Sequence, residues 1–433
     1  MKNLQSKNNN MPSFTADVAV IGLGYVGLPL SVALSKFNDV IGFDINKKRV
    51  KELINGVDQT GEFNSVELKH PQLKFTHDPN DISQAKIFII AVPTPVDENK
   101  KPDLTALTAA SQSVGQQIKR GAIVVYESTV WPGVTEDICM PILENTSGMK
   151  SGHDFFIGYS PERINPGDKE HTIDQITKVV SAQTPEACGI LTSLYGQVTN
   201  GKIHISPNIR TAEAAKIIEN AQRDINIAFI NEIAQICQKL EISVYEVLEA
   251  AQTKWNFLNF KPGLVGGHCI GVDPYYLAHK AIELGHEPHI LLTGRKTNDS
   301  MGLYIAEQVL KLLEPESHVL ILGLTFKEDV SDLRNSQVTD IIQHLKAAGH
   351  KISVCDPHAS KDEAMNLYGI KLKNSIYGNK RYHCVLCCVG HKEYRDMDVK
   401  SVTNLLMENG LIADVKGIWR QLKTSKVYRR WTL

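Results

Sequence analysis

An apolar run of strand length, Asp17-Val18-Ala19-Val20-Ile21, passes directly into Gly22-Leu23-Gly24-Tyr25-Val26-Gly27. Residues 28–36 then read as a helix, and residues 40–43 as a second strand ending at Asp44. A lone GxGxxG is a weak signal. Here it has a strand before it, a helix after it, and an acid twenty residues beyond Gly24. Gly22 allows the tight turn, Gly24 lets the backbone approach a pyrophosphate, and Gly27 lets helix and strand pack closely. The phosphates would meet the free N–H groups of the helix start. Asp44 would accept hydrogen bonds from the adenosine ribose, and its charge would repel a 2′-phosphate, favouring NAD over NADP. The alternative is a glycine-rich strand–helix turn with no ligand.

Further strand candidates follow at 86–92, 122–127, 155–159 and 178–181, with helical patterns between them. Such alternation implies a parallel, doubly wound α/β sheet. The turns Val92-Pro93-Thr94-Pro95 and Ser128-Thr129-Val130 follow strands directly, at the sheet edge where cofactors lie. A helical pattern from about 211 to 240 could exceed roughly 40 Å, enough to join two domains and offer a dimer surface. The last third restarts the opening pattern. Residues 318–324 form a strand running into Gly323, 338–348 a helix, and 352–356 a strand ending in Asp356. Only one of the three glycines is present, so this second Rossmann-like domain lacks the dinucleotide fingerprint.

The length of 433 residues suits about three domains. Lys+Arg number 47 against 48 Asp+Glu, so no global basic field exists and nucleic-acid binding is not expected. The longest apolar stretches, 87–93 and 319–324, are far below the roughly 20 residues of a membrane span. Residues 1–14 are polar, with no apolar signal core, and 1–13 read as a flexible leader. Cys384 and Cys387 have CxxC spacing but no second pair, and 384–389 reads as a buried strand. No metal site is expected, and reduced thiols fit a cytoplasmic protein.

Several residues could carry chemistry. In Gly266-Gly267-His268-Cys269-Ile270-Gly271-Val272-Asp273, glycines flank a cysteine and would admit a ligand closely. A nucleophilic thiol needs a neighbouring base or cation. Taken alone, a buried structural cysteine is the commoner explanation. Lys216 and Asn220 share a helix face at i, i+4 and could polarise a developing oxyanion. Taken alone, the pair is more simply explained as a solvated helical stripe. Glu162, Lys327 and Arg334, taken singly, are charges on loops after strands.

The ordered set of motifs resembles the UDP-glucose/GDP-mannose dehydrogenase family, from about residue 17 to residue 431. The motifs are GLGYVGLP (22–29), VPTP (92–95), ESTV (127–130), SPER (160–163), EAAKIIEN (213–220), GGHCIGVD (266–273) and FKEDVSDLRNS (326–336). The resemblance implies a four-electron oxidation in which the C6 alcohol of a UDP-sugar becomes a carboxylate and two NAD⁺ are reduced. Cys269 matches the covalent nucleophile, giving first a thiohemiacetal and then a thioester. Lys216 matches the lysine that stabilises the oxyanion, with Asn220 beside it. Asp273 matches the carboxylate near the thiol, Glu162 a group assisting acid–base steps, and Thr129 a residue near the nicotinamide. Tyr25, Val26, Thr94 and Arg334 join Gly22, Gly24, Gly27, Asp44 and Thr129 as cofactor contacts. Arg163, Gly267 and Lys327 join Glu162, Lys216 and Asn220 as substrate contacts.

The implied architecture is α/β, with two Rossmann-like doubly wound domains joined by a long central helix and a helical middle domain. The expected boundaries are 14–205 for the NAD domain, 206–312 for the central catalytic and dimerisation domain, and 313–433 for the UDP-sugar domain. A homodimer is expected from the family, as is a role in surface polysaccharide synthesis. UDP-glucose enzymes of the family commonly carry a second glutamate four residues after the one matching Glu162; here that position is Pro166. The loop SPERINPGD instead resembles the branch acting on N-acetylhexosamines. UDP-N-acetylglucosamine is therefore favoured, then UDP-N-acetylgalactosamine, then UDP-glucose. A cation lent by a neighbouring subunit in UDP-glucose enzymes has no firm match, Lys254 being the nearest. The rivals are a two-electron dehydrogenase without a cysteine intermediate and a non-catalytic nucleotide-sugar sensor.

Overall fold

The computed structural model describes residues 17–59, 61–163, 172–267, 270–378 and 380–433. The opening run forms β1 (Asp17–Ile21), followed by β2 (Asp39–Phe43), β3 (Leu73–Thr76), β4 (Ile87–Ile90), β5 (Ile123–Tyr126), β6 (Phe156–Tyr159), β7 (Lys178–Ala182) and β8 (Ile203–Ile205). They build one sheet in the order β3-β2-β1-β4-β5-β6-β7-β8. All neighbours are parallel except β6 and β7, which are antiparallel. The order through β6 is that of a dinucleotide-binding sheet. The central strands are buried on both faces, so they read as unbroken apolar runs such as IFII and IVVY. The helices Gly27–Leu34 and Pro185–Val198 pack on the face that carries Val18, Val20, Ile89 and Val125.

The second sheet contains β9 (His318–Leu322), β10 (Lys351–Cys355), β11 (Tyr382–Cys387), β12 (Leu406–Asp414) and β13 (Arg429–Thr432), in the order β10-β9-β11-β12-β13, all parallel. The order reverses between β9 and β11, the switch point of a doubly wound sheet. One face carries Val319, Ile321, Cys384 and Leu386 against the helices Met301–Leu310 and Val338–Ala347. The other carries Leu320, Leu322, Val385 and Cys387. The two sheets bear out the pair of Rossmann-like domains expected from the sequence.

Between the two sheets in chain order comes a helical stretch. Its main element is the central helix Ile209–Lys239, 31 residues and roughly 45 Å long. Asn208 starts it by accepting a hydrogen bond from the Thr211 amide at 2.8 Å. Three further helices follow at Val244–Ala251, Asp273–Glu283 and His289–Asp299. The chain divides into two compact units. One comprises residues up to Pro95 with Asp103–Lys216, the other Val96–Pro102 with Ile217–Leu433, so the division falls inside the central helix.

Candidate active site

The glycine turn has the geometry a dinucleotide requires. Gly22 adopts φ +94°, and its amide donates to the Phe43 carbonyl at 2.8 Å. A Cβ there would lie 2.8 Å from the Ala91 carbonyl oxygen, and a Cβ at Gly27 only 1.8 Å from that of Gly22. A Cβ at Gly24, in contrast, would meet nothing within 4 Å. Two glycines therefore serve packing, and the third keeps an open surface at the helix start. Tyr25 and Val26 stand half-buried beside it. Asp44 is oriented by its own turn: its carboxylate accepts from the amides of Leu23 and Asn46, both at 2.8 Å. Each oxygen keeps a lone pair for a ribose hydroxyl. These residues fit NAD, whose diphosphate would occupy the open side of Gly24.

The turns after β4 and β5 are stitched together. The Thr94 hydroxyl donates to the Thr129 carbonyl at 2.7 Å, and the Ser128 hydroxyl to the Val92 carbonyl at 2.6 Å. Thr94 and Thr129, both predicted from sequence, thus meet at the carboxyl edge of the sheet. Glu162 reaches the same edge after β6. Its carboxylate accepts from the Arg163 amide at 2.6 Å and pairs with the Lys178 ammonium at 3.5 Å. Arg163 turns its guanidinium to the Thr177 carbonyl at 2.8 Å. Lys178 escapes a sequence reading. It is fully buried and lies 2.6 Å from Glu127, which also accepts from the Tyr195 hydroxyl at 2.6 Å. The only signal was a lysine heading the apolar strand KVVSA.

The central helix carries Glu213, Lys216 and Asn220. Glu213 is completely buried and accepts from the amides of Gly133, at 2.6 Å, and Thr135, at 3.0 Å. Those amides begin the helical segment that runs through Thr135–Cys139 and Met140–Ser147, so the carboxyl caps a helix other than its own. Burial pushes it up to about 7, although the two amides favour the charged form. Lys216 is half-buried. One turn later, the Asn220 side-chain amide donates to the carboxylate of Asp273, which heads the helix Asp273–Glu283 and is itself buried.

The residues before the cysteine are wedged against the 326–336 block. A Cβ at Gly266 would lie 2.7 Å from the Asn335 carbonyl oxygen, and one at Gly267 (φ +83°) 2.9 Å from the Phe326 ring. The Gly267 amide donates to the Arg334 carbonyl at 3.2 Å, and the Asn335 side chain donates to the Gly267 carbonyl at 3.0 Å. Arg334 forks onto Asp332, its shortest contact 2.7 Å. The Lys327 ammonium stands 5.9 Å from the centroid of the Phe326 ring. Gly266, Gly267, Arg295 and Asn335 help line a cleft of about 380 Å³. Cys269, His268 and the Pro166 turn lie outside the described residues, as does the leader 1–13.

Two other features bear on metals and nucleotides. Cys384 and Cys387 sit on opposite faces of β11, in two different apolar cores, and burial pushes both thiols up. Their spacing cannot chelate. Asp329, His358 and His391 converge. However, the His391 Nδ1 accepts from the Asp329 amide and its Nε2 donates to Asp356, both at 3.0 Å, so neither nitrogen is left to bind an ion. Asp356 occupies in the second sheet the place of Asp44 in the first. Its carboxylate accepts from the amides of Leu324, Thr325, His358 and Ala359 as well as from His391. Burial alone would raise it, yet His391 and these amides hold it far below the usual carboxylate range.

The UDP-glucose/GDP-mannose dehydrogenase family matches the chain in three consecutive parts: its NAD binding domain at residues 16–199, its central domain at 210–300 and its UDP binding domain at 320–421. The chain belongs to this family. It is 50% identical over 423 residues to Protein CapL of Staphylococcus aureus, covering 96% of this chain and 99% of that one. It is 48% identical over 406 residues to a UDP-N-acetyl-D-glucosamine 6-dehydrogenase of Pseudomonas aeruginosa, covering 92% and 96%. Among solved structures, the UDP-N-acetyl-mannosamine dehydrogenase Cap5O of Staphylococcus aureus superposes with TM-score 0.82 at 30% identity, covering 96% of this chain and 98% of that one. The protein is thus an NAD-dependent UDP-sugar dehydrogenase with a UDP-binding domain at its carboxyl end. Among the described residues, no helix is long and apolar enough to cross a membrane.

Proposed function

We propose that this dehydrogenase oxidises the C6 alcohol of a UDP-N-acetylhexosamine, UDP-N-acetylglucosamine foremost, to the uronic acid. The sugar alcohol, two NAD⁺ and water give the carboxylate, two NADH and three protons. The observation that carries the reading is the hydrogen bond from Asn220 to Asp273. It joins the helix bearing the predicted oxyanion group to the segment immediately following the predicted nucleophile.

Bound NAD supplies the hydride acceptor for both oxidations. Lys216 and Asn220 hold the C6 oxygen as it gains negative charge. The Cys269 thiolate adds to the aldehyde carbon, and the resulting thiohemiacetal keeps the carbon in place for its second oxidation. Water then cleaves the thioester, returning the thiol, with Glu162 and Asp273 managing protons near the reacting carbon. Thr129, held by Thr94, faces the cofactor edge; Arg163, Gly267 and Lys327 contact the UDP-sugar, and Arg334 the cofactor. Pro166 in place of a glutamate supports an N-acetylated sugar, as does the likeness to UDP-N-acetyl-D-glucosamine 6-dehydrogenases of Pseudomonas aeruginosa and Salmonella typhi. A buried polar group left unpaired by the wrong substituent costs about 1–3 kcal/mol, enough to discriminate.

The working form is a homodimer built on the central helix. Ile218, Phe229 and Ile236 are exposed on one stripe of it, which supports this assignment. The reaction belongs in the cytoplasm, and its product serves surface polysaccharide, as the family resemblance implies.

The deciding experiment is the NADH yield per sugar, run to completion with UDP-N-acetylglucosamine, UDP-N-acetylgalactosamine and UDP-glucose in parallel. Two NADH per sugar, fastest with UDP-N-acetylglucosamine, is the expected result. One NADH per sugar, or full yield from Cys269→Ser, would overturn the cysteine route. UDP-glucose as the fastest substrate would overturn the branch assignment, and tight binding without NADH would leave a sensor.

A further inference from the structure

Lys178 heads a strand that runs against its neighbour. Because β7 is antiparallel to β6, its first residue arrives at the carboxyl edge of β4, β5 and β6. A lysine there enters the cofactor edge from the opposite direction to every other group. Its side chain is wholly buried, 2.6 Å from Glu127 and 3.5 Å from Glu162. Burial alone would strip its charge, but the two carboxylates outweigh that and hold it protonated.

The Lys178 ammonium donates to Glu127 at 2.6 Å, and Glu127 is also anchored by the Tyr195 hydroxyl. Burial raises the Glu127 carboxyl, opposed by Lys178. A buried ion pair adds little stability over apolar packing and is costly when one partner is removed. The arrangement is therefore poorly explained as a stabilising device. Its outer end is informative. Of the three charged groups, Glu162 is the most exposed, at 8% against 1% for Glu127 and 0% for Lys178. One of its oxygens takes the Arg163 amide at 2.6 Å and the other takes Lys178. Both carboxylate oxygens are thus engaged, and Tyr195 and Ser160 are further polar groups beside the cluster.

We propose that Lys178 is a positioning residue for the oxidation, its ammonium anchored on Glu127 so as to fix the Glu162 carboxylate in its working orientation. This rests on the acid–base reading of Glu162 given above. A misplacement of about 1 Å at a reacting group can cost 10²-fold in rate.

The test uses the full-length enzyme with NAD and the UDP-sugar it turns over fastest. Lys178→Met is combined with Glu127→Gln, so that Glu127 is not left as an unpaired carboxylate in the core. The double variant should bind NAD as the parent does in a fluorescence titration and keep its KM for the sugar. Its kcat should fall by about 10²-fold. Lys178→Arg should recover most of the rate. Added to Glu162→Gln, the same pair of changes should lower kcat no further. Parental kcat in the double variant, a loss that adds in full to that of Glu162→Gln, or an Arg variant as slow as the Met one would each overturn the proposal. A Glu162→Gln enzyme with full kcat would overturn the reading of Glu162, and this proposal with it.

Discussion

Asn220 donates its side-chain amide to the carboxylate of Asp273, linking the middle of the central helix to the first residue of the helix that follows the GGHC segment. The contact ties the orientation of one proposed oxyanion donor to the position of the acid beside the proposed nucleophile. Asn220→Ala is expected to lower kcat by about 10²–10³-fold, the usual cost of removing such a donor, with KM little changed. Steady-state NADH kinetics would check it. A change confined to KM would mean that Asn220 only binds the ground state.

The glycine turn separates packing from ligand approach. Gly27→Ala would put a Cβ 1.8 Å from a carbonyl oxygen and should destabilise the fold by several kcal/mol. Gly24→Ala meets no atom within 4 Å and should leave the melting temperature almost unchanged while weakening NAD. Thermal denaturation beside NAD titration distinguishes the two.

Asp44 and Asp356 should behave oppositely. Asp44→Asn is expected to raise the Kd for NAD roughly tenfold or more and to narrow the preference over NADP. Asp356→Asn should leave NAD affinity alone and cost about 1–3 kcal/mol of stability, because five donors converge on that carboxylate.

Glu213 gives a stability signature with a definite sign. Its folded value of about 7 lies above the ordinary 4.5, so between these limits the folded state holds a proton that the unfolded chain has lost. Its contribution to stability is full below about 4.5, declines as pH rises through 7, and is flat above. Glu213→Gln cannot titrate. The melting temperature of the parent should therefore fall relative to this variant from pH 5 to pH 7.5, and a constant difference across that range would refute the assignment.

Phe229→Glu places a charge in the middle of the exposed apolar stripe Ile218, Phe229 and Ile236. Light scattering should report the proposed dimer for the parent and a monomer for the variant, with the helix content by circular dichroism unchanged.

The nucleotide-binding half was legible because its signals are local. The turn Gly22–Gly27 and the acid at Asp44 lie within a single strand–helix–strand unit, and the central helix was visible as one long period. What escaped depends on contacts distant in sequence. Lys178 looks like the polar start of a strand until the reversal of β7 brings it to Glu162. Glu213 reads only as the opening of the EAAKIIEN motif on its own helix, yet it caps a segment that begins some eighty residues earlier. Asp356 repeats the position of Asp44, but His391, thirty-five residues on, and four backbone amides use it up. The CxxC spacing of Cys384 and Cys387 dissolves once a strand turns positions i and i+3 to opposite faces.

The reversal at β7 also determines where this fold can be cut and rejoined. Glu127 leaves β5, Glu162 leaves β6 and Lys178 enters β7, so three consecutive strands contribute to one buried charge balance. A recombinant with its joint between β5 and β6 could inherit Glu127 from one parent and a partner of the wrong charge or length from the other. The strands from β5 through β7 therefore form the smallest block that can be exchanged between relatives without stranding a carboxylate in the core.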